Sequence, residues 1–356
     1  MKADAPGSLA ARVIAWFEQH GRRDLPWQHP RTPYRVWLSE IMLQQTQVQT
    51  VVPYFIAFTE RFPSLPALAA ADIDAVLHLW SGLGYYSRAR NLHRAARLVV
   101  EQHDGELPDS VEALEALPGI GRSTAAAIVA QAWDRPAAIL DGNLKRVLAR
   151  YHAEPGWPGD SAVLRRLWTL AEAHLPTTRA CDYTQAMMDL GATVCTRSRP
   201  ACPACPLRED CSARASDSQT RYPGPRPRRT LPERQTTFLI LIDDHNRLLL
   251  ERRPPAGIWG GLWCFPELGG DDALVDRLHS LGCCDPASAG ETAPFTHTFT
   301  HFRLHISPQL LRVSHRTTSV RDDAHLHWYS ANDSTRIGLP APVARLLRKL
   351  QQDRLI

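Results

Sequence analysis

From Ala11 to about Cys211 the apolar residues recur at helical spacing, as in Val76, Leu77, Leu79 and Trp80, and again in Leu92, Ala95, Ala96 and Val99. Recurrence every three to four residues puts those side chains on one helix face, and alternating runs are nearly absent here. This part is predicted to be all-α, its medium-length helices joined by short Pro- and Gly-bearing breaks at Phe62 to Pro66, Gly105 to Pro108 and Pro155 to Pro158. The period then changes. Thr237 to Ile242 and Leu248 to Glu251 read as strands around a turn at Asp243 to Asn246, and Phe295 to Leu304 alternates as one further strand. Helical spacing returns from Ala273 to Leu281, behind the candidate caps Asp271 and Asp272, and from Pro342 to Leu350. The second part is therefore predicted to be α+β, and no internal repeat links it to the first.

Between the two lies Ser212 to Gln235, holding Arg221, Pro223, Gly224, Pro225, Arg226, Pro227, Arg228 and Arg229. Such a composition cannot bury a core and tends to be extended. The 356 residues thus divide into an all-α domain (1–211), a linker (212–235) and an α+β domain (236–356).

Bulk composition adds bounds to this picture. The formal charge of +4 is too small to establish nucleic-acid binding by itself, so local basic patches must carry that case. No window reaches the roughly 18 consecutive apolar residues of a membrane span. Met1 to Phe17 lacks a basic region, a long apolar core and a cleavage site, so a soluble, cytoplasmic chain is expected. Of the eight cysteines, Cys195, Cys202, Cys205 and Cys211 are packed together and Cys181, Cys264, Cys283 and Cys284 are scattered or adjacent, which suits a reducing compartment.

The four packed cysteines follow C-x6-C-x2-C-x5-C, with Pro203 and Pro206 stiffening the loop. Four soft thiolates on a short loop can hold a tetrahedral zinc ion or an iron-sulfur cube. Zinc sites usually show two Cys-x-x-Cys pairs, and only Cys202 and Cys205 are paired here, which favours a 4Fe-4S cluster. Arg197, Arg199 and Arg208 lie inside the loop, where guanidinium groups can face phosphates or simply solvent.

Leu117-Pro118-Gly119-Ile120-Gly121 precedes Arg122, Ser123, Thr124 and an Ala-rich helix. The glycines permit a tight turn into a helix N-terminus, whose free backbone amides can bind a phosphate. Together with the cysteine loop and a downstream Asp, residues 10 to 211 resemble the helix-hairpin-helix DNA glycosylases of the endonuclease III superfamily. In that superfamily's bifunctional branch a Lys nucleophile stands where this chain has Ser123. Without that amine no Schiff base forms, so the resemblance implies a monofunctional enzyme.

Two carboxylates are candidates for the chemistry. Asp141 ends the apolar run Ala137 to Leu140 and opens the helix start Gly142-Asn143-Leu144-Lys145-Arg146. It reads as an N-cap, a role compatible with a second one. The superfamily's matching Asp faces the sugar, where a carboxylate supports or attacks oxocarbenium-like charge, and Asn143 would help position it. Glu40 lies among bulky apolar residues in Val36 to Thr46; an exposed helix face is the ordinary fate of a Glu, but desolvation there would raise its pKa and suit it to donate a proton.

The segment Trp37 to Thr46 and the segment Leu83-Gly84-Tyr85-Tyr86-Ser87-Arg88-Ala89-Arg90-Asn91-Leu92 are similar to motifs of the adenine DNA glycosylase (MutY) family. That resemblance implies Glu40 as general acid at adenine, with Gln45 and Tyr85 filling or wedging the base stack opposite the extruded adenine. The segment Trp259 to Glu267 resembles the start of a Nudix (MutT-like) fold, but Asp271 to Leu281 offers no Glu-rich magnesium helix, so pyrophosphatase activity is disfavoured. In the family such a domain recognises 8-oxoguanine through a loop reading Phe-Ser-His; here Phe299-Thr300-His301 stands in its place. The function implied is hydrolytic removal of adenine mispaired with 8-oxoguanine or guanine in double-stranded DNA, by a monomer associated with the nucleoid. A bifunctional glycosylase/lyase acting on oxidised pyrimidines and a non-catalytic DNA-damage sensor are the alternatives.

Overall fold

The computed structural model describes residues 3–227, 230–269, 273–315, 325–330 and 337–353. Its α-helices are α1 (Leu9–His20), α2 (Pro33–Leu43), α3 (Val48–Arg61), α4 (Leu65–Ala69), α5 (Ile73–Trp80), α6 (Ser87–Gln102), α7 (Val111–Glu115), α8 (Arg122–Trp133), α9 (Gly142–Tyr151), α10 (Ser161–Ala173), α11 (Ala180–Asp189), α12 (Ser212–Ala215), α13 (Leu274–Ser280) and α14 (Ala341–Gln352). The strands are β1 (Glu233–Ile242), β2 (Leu248–Arg252), β3 (Trp263–Cys264), β4 (Glu267–Leu268), β5 (Cys283–Ser288), β6 (Phe295–Thr298), β7 (Arg303–His315) and β8 (Leu326–Tyr329). Among the described residues no helix is long and apolar enough to cross a membrane.

Two compact units form: Met1–Ala70 with Asn91–Arg228, and Ala71–Arg90 with Arg229–Ile356. Their boundary near residue 228 falls inside the expected linker, but segment 71–90, expected in the all-α domain, packs with the second unit. The cause is a set of contacts that no local pattern reveals. The Tyr86 hydroxyl donates to the Leu339 carbonyl at 2.9 Å, the Leu339 amide donates to Ser81 Oγ at 3.4 Å, and Asp74 pairs with Arg252 at 2.8 Å. Leu77 lies so near Gly338 that a Cβ there would stand 2.9 Å from its own.

The first unit is all-α, as its spacing predicts. Helix α8 is its centre: Ala125 to Gln131 are all buried, and the alanines let neighbouring helices approach closely. Helices α2, α7 and α11 pack against it. Residues 212–224 depart from the extended linker expected. They fold into α12 and a short 3-10 turn, and Arg150 holds them by donating from Nε to the carbonyls of Gln219 at 2.9 Å and Tyr222 at 3.0 Å. The Gly224 amide adds a bond to the Gly156 carbonyl at 2.8 Å.

The second unit is α+β, with a mixed sheet in the order β3-β2-β1-β7-β5; β4 pairs with β1, β6 with β7 and β8 with β2. Strand β1 runs parallel to β7 from Glu233↔Arg303 to Ile242↔Arg312. Its Phe238 to Ile242 stretch is buried on both faces, which explains a continuous apolar run in place of alternation. Leu239 and Leu241 pack with Leu249, Leu278, Leu281, Leu311 and Val313, so α13 seals one face. The single strand expected over Phe295 to Leu304 is instead a hairpin. Strands β6 and β7 pair antiparallel from Phe295↔Ile306 to Thr298↔Arg303, and the turn between them closes with the Phe299 amide on the Phe302 carbonyl at 2.9 Å. The turn Phe299-Thr300-His301-Phe302 holds none of the Gly, Pro, Asn or Asp residues that mark a reversal, so the sequence hid it. Helix α13 starts after Ala273 without a side-chain cap; the expected caps Asp271 and Asp272 lie outside the described residues.

Candidate active site

Glu40 sits near the C-terminal end of α2, opening onto a cleft of about 720 Å³ in the first unit. It is half-buried rather than on an exposed helix face, because the flanking Ser39 and Ile41 are buried and α2 lies against α8. Its Oε1 accepts a hydrogen bond from Gln131 Nε2 at 2.6 Å. Loss of hydration pushes this carboxyl up to about 7; the Gln131 bond opposes the shift and the neighbouring Asp141 carboxylate adds to it.

Asp141 lines the same cleft as the N-cap of α9, its Oδ1 accepting from the Leu144 amide at 2.8 Å. Burial raises its pKa too, but the Leu144 and Asn143 amides, Arg146 and the Asn143 side chain all pull it down. Glu40 has one stabilising donor where Asp141 has a helix terminus, an amide side chain and a cation. Burial thus meets more opposition at Asp141 than at Glu40, where a single amide donor stands against it.

Arg146, unflagged by sequence reasoning, ties this carboxylate to the cysteine loop. Its Nη2 donates to Asn143 Oδ1 at 2.9 Å and to the Gly191 carbonyl at 2.6 Å, and its Nε donates to the Cys195 carbonyl at 2.7 Å. Gly191, in a single π-helical turn (Leu190–Val194), permits the approach: a Cβ there would lie 2.5 Å from Asn143 Cβ.

The hairpin takes the expected form. Leu117 is buried, the Ile120 amide bonds the Leu117 carbonyl, and Gly121 precedes α8 with no side-chain cap, leaving amides of the first turn open. Gly119 has φ +81° and stands where a Cβ would be 2.8 Å from Asn91 Cβ, so glycine is required twice over. Ser123 lines the cleft, and its Oγ accepts from the Leu140 amide at 2.9 Å, fastening α8 to the residue just before Asp141. Gln45 is exposed at the mouth of the cleft with φ +59°, a backbone state that thrusts its side chain off the end of α2.

Cys195, Cys202, Cys205 and Cys211 line one small, almost wholly apolar cavity of about 30 Å³, with Val147, Leu190 and Leu207. Burial pushes the Cys205 thiol up to about 11 and raises Cys211, and the other cysteines add to both shifts, so this set calls for compensating positive charge. Arg150, buried behind the loop, donates to the carbonyls of Thr196 at 2.7 Å and Arg197 at 2.9 Å and to Cys195 Sγ at 3.4 Å. Among the described residues no three His, Cys, Asp or Glu side chains gather closely enough for a single metal ion. Of the loop arginines, Arg197 reaches the cleft, whereas Arg208 is held by the Pro203 carbonyl and Glu209.

In the second unit, Tyr85 and Phe299, Thr300 and His301 line another cleft, of about 670 Å³. Tyr85 is 44% exposed with φ +48°, which excludes a core role. Phe299 stacks on Phe302 (4.5 Å, 20°) and meets Trp259 and His297, so an aromatic wall supports a turn whose Thr300 and His301 are exposed.

A model of HhH-GPD superfamily base excision DNA repair proteins matches residues 38–173, and one of the NUDIX domain matches residues 237–349. The chain is 37% identical over 345 residues to the adenine DNA glycosylase of Buchnera aphidicola subsp. Acyrthosiphon pisum, spanning 96% of this chain and 97% of that protein. With the Homo sapiens adenine DNA glycosylase the identity is 32%, over 95% of this chain and 73% of the other. Among solved structures, a thermostable thymine-DNA glycosylase superposes with a TM-score of 0.52 at 27% identity, over 58% of this chain and 95% of its own. The enzyme of a non-covalent endonuclease III–DNA complex shares the fold at 22% identity, with a TM-score of 0.50, over 58% of this chain and 94% of its own.

Proposed function

Since the chain belongs to the adenine DNA glycosylase family, we propose that it removes adenine mispaired with 8-oxoguanine or guanine in double-stranded DNA, by hydrolysis and without cutting the strand. The observation that carries this reading is the pairing of Glu40 and Asp141 in one cleft: burial raises both carboxyls, Glu40 with a single donor to oppose it and Asp141 with a helix terminus, the Asn143 side chain and Arg146. An extruded adenine entering the cleft receives the Glu40 proton as the N-glycosidic bond breaks and its electron pair leaves with the base. Asp141 faces the positive charge left on the sugar, Asn143 and Arg146 hold it there, and water completes the hydrolysis. The enzyme acts as a monomer on DNA in the cytoplasm, at the nucleoid.

The hairpin amides and Arg197 suit backbone phosphates, and Gln45 suits the stack beside the extruded base. Cys195, Cys202, Cys205 and Cys211 would hold a 4Fe-4S cluster. The four line one apolar cavity, and only Cys202 and Cys205 form the Cys-x-x-Cys pair of which zinc sites usually carry two. When bound, the cluster would supply the positive charge that four half-buried thiolates need. The loop that the arginines brace then presents Arg197. Tyr85, Phe299, Thr300 and His301 form the surface that distinguishes 8-oxoguanine in the opposite strand.

Against the bifunctional alternative stands Ser123, whose hydroxyl is engaged by the Leu140 amide and which carries no amine. Duplexes containing adenine opposite 8-oxoguanine, adenine opposite guanine, or an oxidised pyrimidine test the whole reading. Strand breaks are expected only at the adenine mispairs and only after alkali. Alkali-independent nicking, or a preference for the pyrimidine, would overturn it.

A further inference from the structure

Gln131 is the last residue of the buried run on α8, following Ala125 to Ala130, and only 4% of its surface is exposed. A buried carboxamide needs partners, and this one donates from Nε2 to Glu40 Oε1 at 2.6 Å, a short bond for an amide donor. Its own backbone is held as well: the Gln131 carbonyl receives the buried Cys181 thiol at 3.7 Å, and the Cys181 amide is bonded to Asp134 Oδ1 at 2.7 Å. The amide is thus fixed by α8 and α11 while the carboxyl it holds comes from α2.

We infer that Gln131 is a positioning residue for the reaction: by occupying Oε1 it fixes the Glu40 carboxyl in the cleft and assigns the transferable proton to Oε2. The inference rests on Glu40 being the general acid. A plain structural filler would need no donor aimed at a carboxyl, and a Glu on a freely rotating side chain would present its proton in several directions. The arrangement has a cost. A donor on Oε1 favours the ionised carboxylate, so Gln131 gives up some of the protonated Glu40 at high pH in exchange for placement. The other charged groups near Glu40 are Asp141 on α9 and the arginines Arg22, Arg146 and Arg197 that line the cleft. Of these, Asp141 bears directly on Glu40 and raises it.

Single-turnover adenine release from an adenine:8-oxoguanine duplex, followed against pH, tests this with Glu40→Gln, Gln131→Met and Gln131→Glu in the full chain. Gln131→Met keeps length and volume but has no donor. It is expected to lower the acid-side plateau about tenfold, a part of the roughly 10²–10⁴ that a placed acid supplies, and to move the alkaline fall of the profile upward. Gln131→Glu is expected to move that fall upward as well, through a proton shared by the two carboxyls, with a smaller loss of plateau. Duplex affinity should not change in either. If both variants keep the native plateau and profile, or lose only thermal stability, the inference is overturned; if Gln131→Met does not fold, Gln131→Glu decides. An active Glu40→Gln protein would instead overturn the general-acid reading.

Discussion

At the scale of residues, two carboxyls in one cleft differ because of what surrounds them, and this has measurable signs. If Glu40 is the proposed acid, it works only while protonated, so the rate of base release should be flat below its value of about 7 and fall as pH rises through it. Glu40→Gln should slow release by roughly 10²–10⁴-fold. The same substitution should stabilise the fold in mildly alkaline solution. Because the folded carboxyl titrates above its ordinary 4.5, the stability it contributes is present below that value and is lost as pH climbs to 7 and beyond. Replacing it by a neutral amide should recover up to about 3 kcal/mol, checked by urea unfolding at neutral and alkaline pH. Asp141 was legible as an N-cap from its own neighbours, but the candidacy of Glu40 and the chemical role of Asp141 came from the resemblance to family motifs, because a Glu on a helix most often faces solvent. Gln131, Arg146 and Arg150 were not legible, since a Gln or Arg on a helix carries no local mark of what it will face.

At the scale of elements, the cysteine loop is a short irregular segment whose backbone carbonyls must be satisfied by something buried. Arg150 supplies donors from α9 to Thr196, Arg197, Gln219 and Tyr222, so it braces both the loop and the chain that follows. Arg150→Ala should strip those carbonyls of its donors, cost about 3 kcal/mol or more, and reduce the iron content of the purified protein. Arg150→Lys should rescue little, because one compact ammonium cannot span the fork of contacts; iron analysis and thermal unfolding of both variants check this. Most helices followed from spacing and caps. The β6–β7 hairpin did not, because its turn, Phe299-Thr300-His301-Phe302, has no Gly, Pro, Asn or Asp to mark it.

At the scale of the whole molecule, the allegiance of segment 71–90 changes what a truncation can show. Removing residues 229–356 would uncover Leu77, strip the Tyr86 hydroxyl of its acceptor at Leu339 and leave Asp74 without Arg252. Such a chain should unfold at lower temperature than the intact protein and lose activity on every substrate. Mispair selectivity is better probed in the intact chain by replacing Phe299 and His301 with Ala. That pair should reduce the preference for 8-oxoguanine over guanine by roughly tenfold or more, about 1.4 kcal/mol, while release opposite guanine stays close to native. A loss equal for both mispairs would contradict the recognition role of this cleft.

By itself the sequence determined whatever depends on near neighbours: the helical and sheet-forming halves, the turn that only glycine permits at Gly119, the grouped cysteines, and the two carboxyls with their immediate surroundings. Tertiary structure alone decided which partners those groups meet. Gln131 lies 91 residues from Glu40, and Arg146 lies 49 residues from Cys195. Segment 71–90 joins a unit whose remaining residues begin at 229. Helical and strand periods act over a few residues, whereas these contacts arise only when packing of apolar faces brings distant polar groups out of water together, where each must find a partner.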